Sequence, residues 1–230
     1  MKCLIIIPAR QGSKRLKNKN KLKLGGKPLF QWTIEVARRL SIDAEIFVST
    51  DDTEILTASM QMGCSLPCIR PVELATDTAT TLSVCRHGIS WFEANGRYFD
   101  CMMVLQPTSP FRDIEAINQG IEEFTSNKLL YPAVGCSLIK DKSVWGFREC
   151  VSGKITPLHG FEGLKKRSQD LDSMYLVNGT FYLFSIEHLT QSETLFGELN
   201  IPVISRHRYQ ELDIDTEEDF RYAQFILDHY

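Results

Sequence analysis

The 230-residue chain is short of most features that mark a specialised class. Its early apolar run, Cys3 to Ile7, falls far below the ~20 residues that a membrane span needs, and Pro8 follows at once. Neither a transmembrane helix nor a signal-peptide core is expected there. The seven cysteines form no CxxC pair and are odd in number, so neither a zinc site nor a disulfide framework is indicated. A reducing, cytoplasmic setting is expected. His87, His159, His188, His207 and His229 show no HxxxH or HExxH spacing, which argues against a histidine-based metal site. The P-loop pattern GxxxxGKS/T and the dinucleotide fingerprint GxGxxG are missing, and no internal repeat or low-complexity tract occurs. What remains is an ordinary globular composition, 43% hydrophobic and 24% charged, in a chain long enough to hold a core without covalent staples.

Acid is also absent where base is dense. The first 34 residues contain nine Lys or Arg and no Asp or Glu, the first acid being Glu35, so the rest of the chain holds all 29 acids against 17 bases. Such a block is either a solvated face or one wall of an anion site, and a nucleic-acid surface is a competing reading of the same residues.

The elements alternate. Leu4 to Pro8 has the continuous apolar pattern of a strand buried on both faces. A polar loop to Lys27 follows, and Pro28 opens a helix lined by Leu29, Thr33, Val36, Ala37 and Leu40. Strands are expected over 44–50, 65–69, 101–106 and 133–139, with helices from Asp51 or Asp52 to Gly63, over 81–95, and over 113–126 with Asp113 as cap. This rhythm predicts an α/β fold with a mostly parallel sheet covered on both faces. Between 140 and 175 the period is lost and an irregular or β-rich insertion is expected, giving a core of 1–139 with 176–230 and a small subdomain of 140–175. Strands over 176–185, 201–205 and 211–215 follow, then a helix capped by Thr216 with Asp219 three residues on, and with Phe220, Ala223, Gln224 and Leu227 on one face.

Ligands of open α/β sheets sit beyond the carboxyl ends of strands, so the loops there carry the argument. After the first strand, Gly12 permits close backbone approach, Ser13 can donate to phosphate oxygens, and Arg10, Lys14 and Lys19 supply charge suited to a triphosphate. Gln106, Thr108 and Ser109, in a loop stiffened by Pro107 and Pro110, are short hydrogen-bonders suited to a polyhydroxylated ligand; taken alone, a rigid turn with capping residues explains them better. Asp213 and Asp215, two apart on an expected strand, would share a face and call for a cation such as Mg²⁺, or simply precede an acid-rich helix start. Arg70 is either a base or phosphate donor or a surface arginine.

In order, Ile7-Pro8-Ala9-Arg10-Gln11-Gly12-Ser13-Lys14, Lys19-Asn20, Arg70-Pro71 through Asp77, Leu105 through Arg112, Arg167-Ser168-Gln169-Asp170-Leu171, Asn178 through Tyr182 and Asp213-Ile214-Asp215 resemble the acylneuraminate cytidylyltransferases, the CMP-sialic acid synthetases. Lys17 and Asp172 depart from the pattern, standing where many members have proline. The resemblance implies a Rossmann-like three-layer nucleotidyltransferase with a small projecting dimerisation subdomain, a homodimer, and transfer of CMP from CTP to a nonulosonic acid with Mg²⁺. N-acetylneuraminate is the first expectation, with legionaminic, pseudaminic and other 3-deoxy-ulosonic acids as alternatives; no nucleic-acid or membrane partner is expected. It also implies roles. Arg10, Ser13, Lys14 and Lys19 would hold the triphosphate, Asn20 and Arg70 the cytidine, with Ala9 also in the nucleotide site, and Gln106, Thr108 and Ser109 would meet the sugar. Arg167 and Gln169 would bind the sugar carboxylate and hydroxyls, Asn178, Tyr182 and Phe196 would wall the pocket, and Asp213 and Asp215 would hold the metal. No residue stands out as the general base.

Overall fold

In the computed structural model, which describes Met1–His229, the first strand β1 (Lys2–Pro8) lies inside a six-stranded sheet. A hairpin of β2 (Lys23–Leu24) and β3 (Lys27–Pro28) turns through Gly25 and Gly26, both at positive φ, as a two-residue hairpin turn of this hand requires. It leads into α1 (Leu29–Arg38), then β4 (Asp43–Ser49) and α2 (Thr53–Gln61). Asp52 caps α2 through Oδ1, which accepts from the amides of Glu54 and Ile55 at 2.8 and 3.2 Å. The chain continues through α3 (Thr81–Ala94), β5 (Cys101–Val104), α4 (Ile114–Ser126) and β6 (Ala133–Lys140). Next come β7 (Phe147–Glu149), β8 (Ile155–Pro157) and the one-turn α5 (Phe161–Leu164). The long β9 (Ser173–Ser185), α6 (Ile186–Gln191), β10 (Ile201–Ile204) and α7 (Glu217–His229) complete it.

Across the sheet the order is β10-β6-β9-β5-β1-β4. β1 pairs in parallel with β4 and β5, and β10 with β6, while β9 runs antiparallel to β5. Alternation along β1 feeds two cores. Cys3, Ile5 and Ile7 join Phe30 and Ile34 of α1 and Ile117, Ile121 and Phe124 of α4 on one face. Leu4 and Ile6 meet Leu82, Cys85, Ile89 and Phe92 of α3 on the other. A third, smaller cluster packs Leu16 and Leu24 of the basic loop and Ile214 against Phe220 and Ala223 of α7. It fixes the loop and the acidic segment against one helix.

The chain divides into two compact units, Met1–Cys136 with everything from Asn178, and Ser137–Val177. The second contains the β7–β8 hairpin and α5, and it exposes Leu138, Phe147, Val151, Ile155, Phe161 and Tyr175.

Three sequence expectations are corrected. No strand forms over 65–69: Pro67 has no amide to donate, Leu66 sits at φ 40°, and only an isolated bridge from Ile69 to Thr50 remains. None forms over 211–215 either. Leu212 N donates to Tyr209 O, and the amides of Asp215 and Thr216 donate to Asp219 Oδ2 at 3.0 and 2.8 Å, so a turn and a helix cap have taken the donors a ladder would use. On α7 the buried face is Phe220, Ala223 and Ile226, with Gln224 exposed.

β6 and β9 approach closely at Gly135. A Cβ there would lie 2.9 Å from Asn178 Oδ1 and 3.0 Å from the Phe181 amide nitrogen, and would collide with Thr180 Oγ1. Gly135→Ala is expected to destabilise the fold by about 1–3 kcal/mol. Thermal unfolding should show a Tm lower by about 2–4 °C for each kcal/mol.

Candidate active site

The loop after β1 is tied down before it meets a ligand. Ala9 is fully buried, its amide donating to Ser49 O at 2.8 Å and its carbonyl accepting from Thr50 Oγ1 at 2.6 Å. Asn20, also buried, donates through Nδ2 to Arg10 O at 2.8 Å, which folds the loop back on its own start. Arg70 is only 3% exposed and gives its guanidinium to Ser49 Oγ (3.0 Å), Ser49 O (2.6 Å) and Leu74 O (3.4 Å). Burial pushes it down to about 10, with Asp51 opposing and Arg10 assisting.

Arg10, Ser13, Lys19, Asn20, Arg70, Gln106 and Thr108 line one cleft of about 210 Å³, together with Thr76, Asp77 and Thr81. Lys14 is linked to that lining, since its ammonium lies 2.6 Å from Asp77 Oδ2. Asp215 is joined to the cleft by Lys19, whose Nζ stands 2.7 Å from Oδ1, and its Oδ2 pairs with Arg15 Nη2 at 2.8 Å outside the cleft lining.

Gln106, Thr108 and Ser109 sit in the loop after β5, and that loop is held by its carbonyls. Arg112 donates to the carbonyls of Gln106 and Ser109, to Thr180 O at 2.6 Å and to Thr33 Oγ1 at 3.3 Å. Thr108 O accepts from Ile214 N at 2.8 Å, which joins the same loop to the acidic segment. The hydroxyls of Thr108 and Ser109 are left buried without a hydrogen-bond partner. Buried polar groups normally find one; Thr108 belongs to the cleft lining, while Ser109 is fully buried and lies outside it.

Ile214 is fully buried while Asp213 is exposed and Asp215 half-buried, so both carboxylates stay on the solvent side although no strand holds them there. Two hard oxygen donors of this kind fit Mg²⁺, which takes one or two carboxylates and completes its shell with water and phosphate. Both oxygens of Asp215 are paired with Lys19 and Arg15 here, so a cation would have to share or displace those partners.

Asn178, Tyr182 and Phe196 do not line this cleft. Asn178 Oδ1 accepts from Thr180 Oγ1 at 2.7 Å, and Tyr182 packs edge-on to Phe196 with centroids 6.0 Å apart. Burial, and next the nearby Asp213, raise the Tyr182 phenol. Arg167 and Gln169 belong to the second unit and are exposed, and Arg167 makes a two-bond pair with Asp170 at 2.7 and 3.2 Å.

Sequence reasoning gave no role to Arg15, Asp77 or Arg112. Asp77 and Arg112 lie inside recognised blocks, but the partners of Asp77, and Thr33 and Thr180 among those of Arg112, come from distant segments that spacing does not report.

The profile of the cytidylyltransferase family matches residues 4–144, more than half of the chain. The chain belongs to the cytidylyltransferase family. It is 32% identical to the CMP-N,N'-diacetyllegionaminic acid synthase of Legionella pneumophila, over 99% of this chain and 97% of that protein. It is 30% identical to the pseudaminic acid cytidylyltransferase of Campylobacter jejuni, over 98% of this chain and 96% of that one. It is also 30% identical to the N-acylneuraminate cytidylyltransferase of Escherichia coli O18:K1:H7, of which the match covers 51%. A CMP:2-keto-3-deoxy-manno-octonic acid synthetase structure shares the fold of this cytidylyltransferase at TM-score 0.72 and 18% identity, with 99% of each chain covered.

Proposed function

We propose that this cytidylyltransferase couples CTP to a nonulosonic acid, releasing the CMP-sugar and pyrophosphate. The observation that carries the reading is the single cleft that gathers the basic loop, Arg70 and the Gln106–Thr108 loop. Relatives named for legionaminic, pseudaminic and acylneuraminic acids support the class of acceptor rather than one member of it. The anomeric C2 hydroxyl attacks the α-phosphorus in line, a new O–P bond forms and the α–β phosphoanhydride breaks. Arg10, Lys14 and Lys19 face the triphosphate and offset charge on the departing pyrophosphate, while Asn20 and Arg70 shape the nucleoside end. The free hydroxyls of Thr108 and Ser109, with Gln106, meet the sugar. From the family resemblance, Arg167 and Gln169 are assigned the acid's carboxylate and hydroxyls, and Asn178, Tyr182 and Phe196 an acceptor wall outside the cleft described above. Asp213 and Asp215 would hold Mg²⁺, which supplies positive charge to the phosphates when bound.

The second unit, 137–177, serves as a dimerisation subdomain. Its apolar side chains in contact with solvent, Val151 at 90% and Phe161 at 72% exposure among them, support a homodimer. Seven unpaired cysteines support a reducing, cytoplasmic setting, and among the described residues no helix is long and apolar enough to cross a membrane.

The test is pyrophosphate release from CTP and Mg²⁺ with N-acetylneuraminic, N,N'-diacetyllegionaminic or pseudaminic acid added or withheld, and other NTPs in parallel. Release that needs both CTP and one of the acids is expected. CTP binding without release on any acid would reject this acceptor class, and failure to bind CTP would return the basic loop to the nucleic-acid reading. Arg167→Ala should raise the KM for the acid far more than that for CTP; equal KM values for the acid would remove Arg167 from the acceptor site.

A further inference from the structure

Two cations of the basic loop, Arg10 and Lys14, are already engaged. Arg10 Nη2 lies 2.7 Å from Asp77 Oδ1 and its Nη1 donates to Ala75 O at 3.3 Å, while Lys14 Nζ lies 2.6 Å from Asp77 Oδ2. One carboxylate thus spends each oxygen on a different cation. Asp77 sits in the short connection between the turn at Val72–Leu74 and Thr80, the cap of α3, and it forms part of the cleft lining. Lys14 and Arg10, in that order, hold its carboxyl below the usual carboxylate range.

The chemistry of this contact is that of a phosphate stand-in, two cations converging on two oxygens of one anion. It is also easily exchanged. The three side chains are 31%, 82% and 40% exposed for Arg10, Lys14 and Asp77, and exposed pairs of this kind contribute little. A polyphosphate offers the same cations several charges and more acceptor oxygens, and guanidinium–phosphate contacts are the stronger class.

We propose that Asp77 is an exchangeable counter-ion: it occupies Arg10 and Lys14 while the cleft holds no polyphosphate, yields them to an entering triphosphate, and retakes them as pyrophosphate leaves. The inference rests on the reading of the cleft as a triphosphate site. It makes Asp77 a positioning residue that keeps both cations in reach of the ligand and trades binding strength for release of the product.

The sign of the effect separates this role from a structural one. With inorganic pyrophosphate as the titrant, Asp77→Asn is expected to bind about three- to tenfold tighter than wild type. The KM for CTP should fall, product inhibition by pyrophosphate should strengthen, and kcat should not rise; Asp77→Glu should restore the wild-type values. In a Lys14→Gln background the gain from Asp77→Asn should shrink, because one of the two cations that Asp77 releases is gone. Unchanged or weaker pyrophosphate binding by Asp77→Asn, beside a wild type that binds, would overturn the exchange role alone. An undiminished gain in the Lys14→Gln background would make Asp77 a distant repeller and also overturn it. A wild type that binds neither pyrophosphate nor CTP would overturn the triphosphate reading itself.

Discussion

Asp215→Ala is expected to lower turnover of CTP and acceptor by about 10³-fold, the equivalent of about 4 kcal/mol of lost charge stabilisation around the reacting phosphate. The residue is placed for two tasks that one substitution removes together. Its carboxylate orients Lys19 and Arg15 at 2.7 and 2.8 Å, and in the proposed reading it would also join Asp213 in holding Mg²⁺. Ile214, buried between the two acids, anchors the segment by about 1.5–3 kcal/mol of apolar burial that the substitution leaves alone. The fold should therefore survive, with stability lower by about 1 kcal/mol for the lost ion pairs. Asp219→Ala is the control. It removes the acceptor of Asp215 N, Thr216 N and Thr216 Oγ1, so it should cost about 1 kcal/mol of stability but far less turnover. Steady-state rates at varied Mg²⁺ and a melting curve for each variant decide the matter. An Asp215→Ala enzyme that keeps most of its activity and its Mg²⁺ dependence would remove this carboxylate from the metal set.

What could be read from the sequence was what short range controls. The buried first strand, the Asp113 cap and the Thr216–Asp219 capping box each depend on residues within one turn or one strand, and each stands in the structure. The extended segment at Asp213–Asp215 was placed on a strand because alternation alone suggested one. Its alternation is real, with Ile214 inward and the acids outward, but the Ile214 amide bonds Thr108 O and the Asp215 amide a helix cap, so no strand ladder forms. The basic loop was legible as an anion site, and seven of the residues named for ligand contact do line one cleft. Its counter-ions were not legible. Arg10 and Asp77 are 67 residues apart, and Lys19 and Asp215 are 196 apart, so only the tertiary fold introduces them.

The same limit hid Arg112, whose removal should have the largest effect on stability. Its guanidinium is buried without a contacting carboxylate, and the interior pushes it down to about 9 although Asp213 pulls the other way. What keeps it there is acceptors. The carbonyls of Gln106, Ser109 and Thr180 and the hydroxyl of Thr33 draw the loop after β5 onto β9 and α1. Arg112→Met fits the volume of the stem and removes the cost of a buried charge, but it strands three buried carbonyls at about 1–3 kcal/mol each. The net loss should be about 3–5 kcal/mol, read as a lower urea midpoint with an unchanged slope. Arg112→Lys keeps the charge yet loses the planar fork that reaches acceptors on separate segments, so it should fall between wild type and Arg112→Met. Because the loop's carbonyls, and not the Thr108 and Ser109 hydroxyls, make these bonds, the KM for the acceptor should rise in Arg112→Lys while CTP binding changes little. A Met variant as stable as wild type would show that water or neighbouring donors can replace the guanidinium, and that the loop is held by Pro107, Pro110 and its bond to Ile214 instead.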